Sequence, residues 1–156
     1  MNQPAPPNPA LVMPILWGSL MSAQAIIVGL TFFLAHGKGV TPTFELANLL
    51  PGEGMGGFHF AGAVLVAIAA VLLPPRLVGL SPSPPGGSEA QRAMVPFIVN
   101  MAMAEAATLV GFFTAIVFAT PPVPERIILP ALCGLVAGLL GFPSASRIKV
   151  LAGVRS

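Results

Sequence analysis

The chain has 156 residues but only twelve charges: seven Lys or Arg, five Glu and no Asp. Charged residues make up 8% of the sequence and hydrophobic residues 55%, and the mean hydropathy is +0.89. About a quarter of the residues in a soluble domain are charged, so this composition excludes a soluble enzyme. The net charge of +2 is too small for a nucleic-acid-binding surface. The composition predicts an integral membrane protein in contact with the lipid bilayer.

Four predominantly apolar stretches are long enough to cross a membrane core, which takes about 20 helical residues. In chain order they cover residues 11–35, 58–80, 94–120 and 127–143. A backbone in lipid satisfies its amides only as a helix or a closed barrel, and the alternating pattern of barrel strands is absent. The sequence therefore predicts one all-α, polytopic membrane domain with four transmembrane helices.

The segments between these stretches indicate their orientation. Residues 1–9 form a Pro-rich lead-in, residues 81–93 a polar linker and residues 144–156 a basic tail. The side with the linker and tail carries five Lys or Arg, and the other side carries only Lys38 and Arg126. Because cytoplasmic loops are enriched in Lys and Arg, we expect both termini in the cytoplasm, and the membrane to be a bacterial inner membrane.

Three segments carry further local expectations. In the long outer loop, TFELANLL is predicted to form one or two amphipathic helical turns on the membrane surface. PPVPER, between the third and fourth stretches, is expected to be only a tight turn between antiparallel neighbours. The basic tail is expected to lie against anionic head groups as a short helix.

Glu105 is the most informative residue, because it is the one charge inside the third stretch. It follows Met94 by 11 positions, which places it about 16 Å into a core about 30 Å thick. An ionised carboxylate at that depth costs several kcal/mol, so the protonated form is favoured. Three interpretations stay open: a group that binds and releases a proton or cation, a protonated side chain that only bridges helices, and a pore-lining residue.

Two further polar residues belong to the predicted ion-binding set. Gln24 lies about 13 residues into the first stretch, at a depth similar to Glu105, and is a candidate hydrogen-bond partner for Glu105 within one subunit or across an interface. The alternative for Gln24 is an ordinary polar contact between helices. Thr108, three residues after Glu105 on the same helix face, either joins the site or bonds its own backbone.

Small residues predict close helix packing. Gly134 and Gly138 form a G-x-x-x-G motif, and Gly141 extends the same strip. Bare backbone along one face lets a second helix approach closely. A weaker strip of small residues lies along one face of the second stretch: Ala63, Ala67 and Ala70.

The sequence around Glu105, PFIVNMAMAEAATLVGFFTAIVFATPP, resembles the outer helix of the ATP-synthase c subunit, the proteolipid of rotary ATPases. That family places a Glu or Asp at mid-helix among alanines, often as A-x-A-E-A, which Ala102, Ala104 and Ala106 match here. The resemblance covers 27 of the 156 residues, and the G-x-G-x-G repeat of the family's inner helix is missing. It implies a ring-forming homo-oligomer in which Glu105 binds a proton.

The sequence therefore predicts a ring-like homo-oligomer with a proton-binding carboxylate. One alternative is a structural scaffold or lipid-enclosing oligomer, and another is an accessory subunit of a larger membrane complex, neither of them a transporter. There is no nucleophile–base pair, phosphate-binding glycine loop or haem motif, so we expect no enzymatic catalysis and no cofactor. Two His residues without a third ligand predict no metal site.

Overall fold

The structure, a computed structural model, describes residues 8–49, 55–80 and 87–153. This part of the chain is mostly helical and contains no strand, which confirms the all-α class. Its α-helices are α1 (Pro9–Gly37), α2 (Leu46–Leu49), α3 (Met55–Leu72), α4 (Glu89–Phe112), α5 (Ile128–Leu140) and α6 (Ala145–Leu151). Short 3₁₀ helices cover Pro74–Leu80 and Pro124–Ile127, and a π-helical turn, Phe113–Val117, continues α4. Most of the predicted lead-in, half of the linker and the end of the tail lie outside the described residues.

Local capping explains where the two longest helices begin. The Asn8 side chain accepts a hydrogen bond from the Ala10 N–H, and Pro9 occupies the first position of α1, where its missing N–H costs nothing. α4 begins at Glu89, before its apolar stretch, because Ser88 and Gln91 form a reciprocal capping box.

Two helices are long and apolar enough to cross a membrane: α1, and α4 with its π-helical turn, each 29 residues long. Residues 124–140 and α6 form a third candidate that is bent by 94° at the break between them. α3 and α5 have 18 and 13 residues, about 27 and 20 Å of helix against a core of about 30 Å. The structure thus contains two or three candidate spans, and four transmembrane helices are not confirmed.

The helices pack around α4, which contacts α1, α3 and α5. α5 in turn contacts α1 and α3, so α4 and α5 form the centre of the bundle. Between α3, α4 and α5 the buried core consists of alanines: Ala63, Ala67, Ala70, Ala104, Ala107 and Ala137. Such small side chains bring helix backbones close together in membrane proteins.

Apolar clusters define the two ends of the bundle. At one end the starts of α1 and α4 meet α6 through Met13, Ala93, Phe97, Met101, Leu151 and Ala152. At the opposite end the last turn of α1 and the π-helical turn after α4 meet the 3₁₀ helix that precedes α5, through Ala35, Ala115, Ile116 and Ile127. α1 and α4 therefore run in the same direction.

Charge is distributed unequally between these ends. Among the described residues, the end with α6 holds four Lys or Arg and one Glu: Arg76, Arg92, Arg147, Lys149 and Glu89. We call it the basic end. The opposite end holds two of each sign: Lys38, Arg126, Glu45 and Glu125.

Candidate functional site

Glu105 lies near the middle of its 29-residue helix, two residues beyond the midpoint of 89–117. Its side chain is half-buried, while Ala102 and Leu109 on the same side of α4 are exposed. Within the described chain, Glu105 has neither a hydrogen bond nor an ion pair. The carboxyl group is therefore partly exposed at the outer surface of the bundle, on the side of α4 that carries Ala102 and Leu109, and it has no partner among the described residues.

Gln24 and Thr108 form the polar contact between α1 and α4. Gln24 is 3% exposed and Thr108 is fully buried, and the Thr108 hydroxyl donates to Gln24 Oε1 at 3.3 Å. Gln24 pairs with Thr108 rather than Glu105, because Glu105 lies about 60° around the helix from Thr108, toward the outside. The structure brings two of the three predicted ion-binding residues together and leaves the third apart.

The amide nitrogen of Gln24 takes no part in the hydrogen bond to Thr108. Nε2 is buried and has no hydrogen-bond partner. Gln24 also lines an apolar groove of about 340 Å³ between α1 and α5, together with Met21, Ala25, Val28 and four α5 residues. An unsatisfied buried donor costs about 1–3 kcal/mol, so an acceptor that entered this groove would stabilise the Gln24 amide.

The glycines of α5 lie where other helices come closest. A Cβ at Gly134 would be 2.5 Å from the Ala104 carbonyl oxygen and 2.7 Å from the Thr108 hydroxyl. A Cβ at Gly138 would be 2.5 Å from the Met21 sulfur. Gly134 thus contacts α4, and Gly138 contacts α1. The strip predicted from the sequence faces two different neighbours inside the same chain.

Gly141 and Asn100 meet at the end of α5, where a Cβ at Gly141 would collide with the Asn100 amide. The Asn100 Nδ2 group donates to the Ala70 carbonyl of α3. In a continuous helix that carbonyl would accept from residue 74, but Pro74 has no N–H. Asn100 therefore supplies the donor that the proline removes.

Trp17 performs the equivalent role for α5. Its indole N–H donates to the Gly138 carbonyl at 2.9 Å, one of the terminal carbonyls that a helix end leaves without a full set of donors. Its ring packs edge-on against Phe142, with 5.0 Å between the ring centroids. The C-terminal ends of α3 and α5 are thus both capped by side chains of the long helices.

Glu125 is a buried carboxylate that the sequence analysis did not single out. It is 2% exposed, and its Oε1 accepts from the Thr43 N–H at 2.7 Å and the Phe44 N–H at 3.4 Å. Phe44 has φ of 54°, a left-handed conformation that points successive N–H groups at one acceptor. The last three residues of PPVPER thus belong to the 3₁₀ helix Pro124–Ile127, and Glu125 fastens the loop after α1, so the segment is more than a simple turn.

The sequence signal for Glu125 is weak, because it is a Glu in a proline-rich segment and its partners lie 81 and 82 positions away.

No protein-family model, curated protein or solved structure matches the chain. In the described residues, no group of three or more His, Cys, Asp or Glu side chains is placed to hold a metal ion. The polar groups at the middle of the bundle are therefore the best candidates for a functional site.

Proposed function

We propose that the chain is an integral membrane protein that assembles into a ring-like homo-oligomer, and that Glu105 binds a proton at the contact between copies. One observation carries this proposal: Glu105 is half-buried in the middle of an apolar 29-residue helix and has no partner in the described part of its own chain. The weak resemblance of the α4 sequence to the c-subunit outer helix supports the same function.

The physical reason is the cost of a carboxyl group in hydrocarbon. A charged side chain at the bilayer centre costs at least about 2.5–3.5 kcal/mol, and such groups usually face a protein interior or a water-filled cavity. Among the exposed large side chains of α4 are Ile98 and Leu109, on either side of Glu105. A second copy that covers this surface removes the carboxyl group from lipid and keeps it neutral or hydrogen-bonded.

Gln24 of a second copy is the partner that we propose for Glu105. Gln24 lies one residue past the midpoint of its 29-residue helix, and Glu105 two residues past the midpoint of a parallel one. The two side chains are thus at similar depth but on different faces. An interface between different faces of identical subunits is head-to-tail, and such an interface closes into a ring when the rotation between copies permits it.

The charges at the two ends support an orientation for the subunit. The described residues of the basic end carry a net charge of +3, from four Lys or Arg and one Glu. Those of the opposite end have a net charge of zero, because two positive and two negative side chains cancel. We therefore propose the basic end, and with it both termini, for the cytoplasmic side of a bacterial inner membrane. In the same arrangement α3 and α5 complete a set of four spans, their short lengths compensated by local thinning of the bilayer.

The experiment compares Glu105 variants in the reconstituted full chain. A hydrophobic carbodiimide reacts with protonated carboxyl groups in lipid, so we expect labelling of Glu105 that slows as pH rises. Glu105→Gln should abolish labelling and retain the assembly, because an amide still forms hydrogen bonds, whereas Glu105→Ala should disperse it. Glu45→Gln, a change at an exposed residue, is the matched control and should alter neither result.

Two outcomes would contradict the proposal. Absence of labelling, with assembly unchanged in Glu105→Gln and Glu105→Ala, would favour a scaffold or lipid-enclosing oligomer, or an accessory subunit that depends on other membrane proteins. A strictly monomeric protein in mild detergent and in bilayers would exclude the homo-oligomer.

A further inference from the structure

The angle between α5 and α6 contains a crevice at the basic end of the bundle. α6 turns away from the preceding helix by 94°, because residues 141–144 end α5 and the Ser144 side chain caps α6 by accepting from the Arg147 N–H at 3.2 Å. The crevice has a volume of about 350 Å³, and its walls are Leu139, Leu140, Phe142, Ser144, Ser146, Arg147 and Val150.

The polar side of this crevice has unused donors. Arg147 Nε and Nη2 are both buried, and neither has a hydrogen-bond partner in the described chain. Burial lowers the pKa of the Arg147 guanidinium, since the charged form has lost solvent without gaining an anion. The Ser144 and Ser146 hydroxyl groups hydrogen-bond each other across 3.1 Å at the same wall, which leaves one of the two O–H donors free. The residues of this wall thus carry N–H and O–H donors and no carboxylate, and the guanidinium has to turn toward the crevice to use its two buried nitrogens.

The other side of the crevice is apolar and exposed. Leu139, Leu140 and Phe142 are each about half exposed, at 52%, 56% and 47%. A guanidinium at one wall and hydrocarbon at the other are complementary to an amphiphile with an anionic head group. Arginine binds phosphate in a bidentate, charge-assisted manner, and anionic lipids are the abundant phosphate-bearing amphiphiles at a membrane surface.

We infer that this crevice binds one anionic phospholipid, with its phosphate on Arg147 and the Ser144–Ser146 hydroxyls and an acyl chain along Leu139 and Phe142. The surplus of Lys and Arg at the basic end adds a general attraction for anionic lipids. The crevice does not include Glu105, so the lipid-binding proposal is tested independently of the proposed proton binding.

Trp17 provides the readout, since it is the one tryptophan of the chain and its ring contacts Phe142 at the crevice wall. The full chain is reconstituted in phosphatidylcholine containing a fixed fraction of phosphatidylglycerol, with bromine on the acyl chains of one lipid or the other. Brominated phosphatidylglycerol should quench Trp17 beyond its share of the bilayer, with roughly a tenfold binding preference, the size expected for charge-assisted hydrogen bonds.

Arg147→Gln should remove this preference, and Lys149→Gln, the same change of charge at an exposed position of α6, should keep it. If Arg147→Gln lowers the helix content, Arg147→Lys, which keeps the charge but loses the planar fork, should reduce the preference severalfold in a folded protein. Equal effects at positions 147 and 149, no effect of Arg147→Lys, or no preference in the original chain would overturn the inference. Loss of the preference on adding inorganic phosphate would show a site for free phosphate and would overturn the lipid assignment.

Discussion

Substitution of Gly134 by alanine tests how closely α4 and α5 must approach. The added Cβ would lie 2.5 Å from the Ala104 carbonyl oxygen, a backbone atom that cannot rotate away, and an ordinary contact needs at least 3.4 Å. The helices must separate by about 0.9 Å, and a gap of this size forfeits a quarter to a half of the attraction between facing atoms. Adding one methyl group to a packed core typically costs about 1–3 kcal/mol, so we expect a loss of about 2–3 kcal/mol.

The chain offers graded controls for this prediction. At Gly138 the first atom in the way is the Met21 sulfur, in a flexible side chain, so Gly138→Ala should cost less than Gly134→Ala. At Gly18 and Gly29 of α1 a Cβ meets nothing within 4 Å, and alanine there should be neutral or stabilise by up to about 1 kcal/mol through helix propensity. The measurement is the free energy of unfolding in mixed micelles titrated with a denaturing detergent, followed by helical circular dichroism. Equal stability of Gly134→Ala and Gly29→Ala would refute the close packing of α5 on α4.

Two further predictions concern polar caps. Asn100→Ala should lower the unfolding free energy by about 1–3 kcal/mol in the same titration, because the Ala70 carbonyl then lacks any donor, and an unchanged value would show that this cap is dispensable. Glu125→Ala should free the Thr43 loop and speed trypsin cleavage after Lys38 in reconstituted protein, while Glu125→Gln, which keeps an acceptor oxygen, should change the rate much less. Equal cleavage in all three proteins would contradict a fastening role for Glu125.

The class of the fold and the positions of the long helices follow directly from the sequence. Apolar runs without charge require helices in lipid. The predicted start of α4 is five residues too late, because the Ser88–Gln91 capping box lies in the segment predicted as the linker. The depth of Glu105 is likewise a matter of counting along one helix. These features depend on residues close together in the chain, so that one sequence suffices to predict them.

The remaining contacts depend on residues far apart in the sequence. Trp17 caps a carbonyl 121 positions away, and Thr108 pairs with Gln24 across 84 positions. Each of these pairings depends on which face of one helix meets which face of another. A helix that is hydrophobic on nearly all sides does not specify those faces. For the same reason the sequence suggested Glu105 as a partner for Gln24, whereas Thr108 occupies the face that meets α1.

The polar side chains in the long helices α1 and α4 differ in their hydrogen-bond partners. Ser19, Ser22, Thr31 and Thr114 bond carbonyls of their own helix four residues earlier. Asn100 and Trp17 cap the short helices α3 and α5, whose C-terminal ends lie beside the interior of α4 and α1 rather than beside their ends. Away from the terminal turns of these long helices, three groups have no partner in the described chain: the Glu105 carboxyl, Gln24 Nε2 and Asn100 Oδ1. Asn100 uses its Nδ2 group and Gln24 its Oε1 atom in contacts within the described chain. No atom of the Glu105 carboxyl group has such a contact, so packing within one subunit explains the other polar side chains but not this acid.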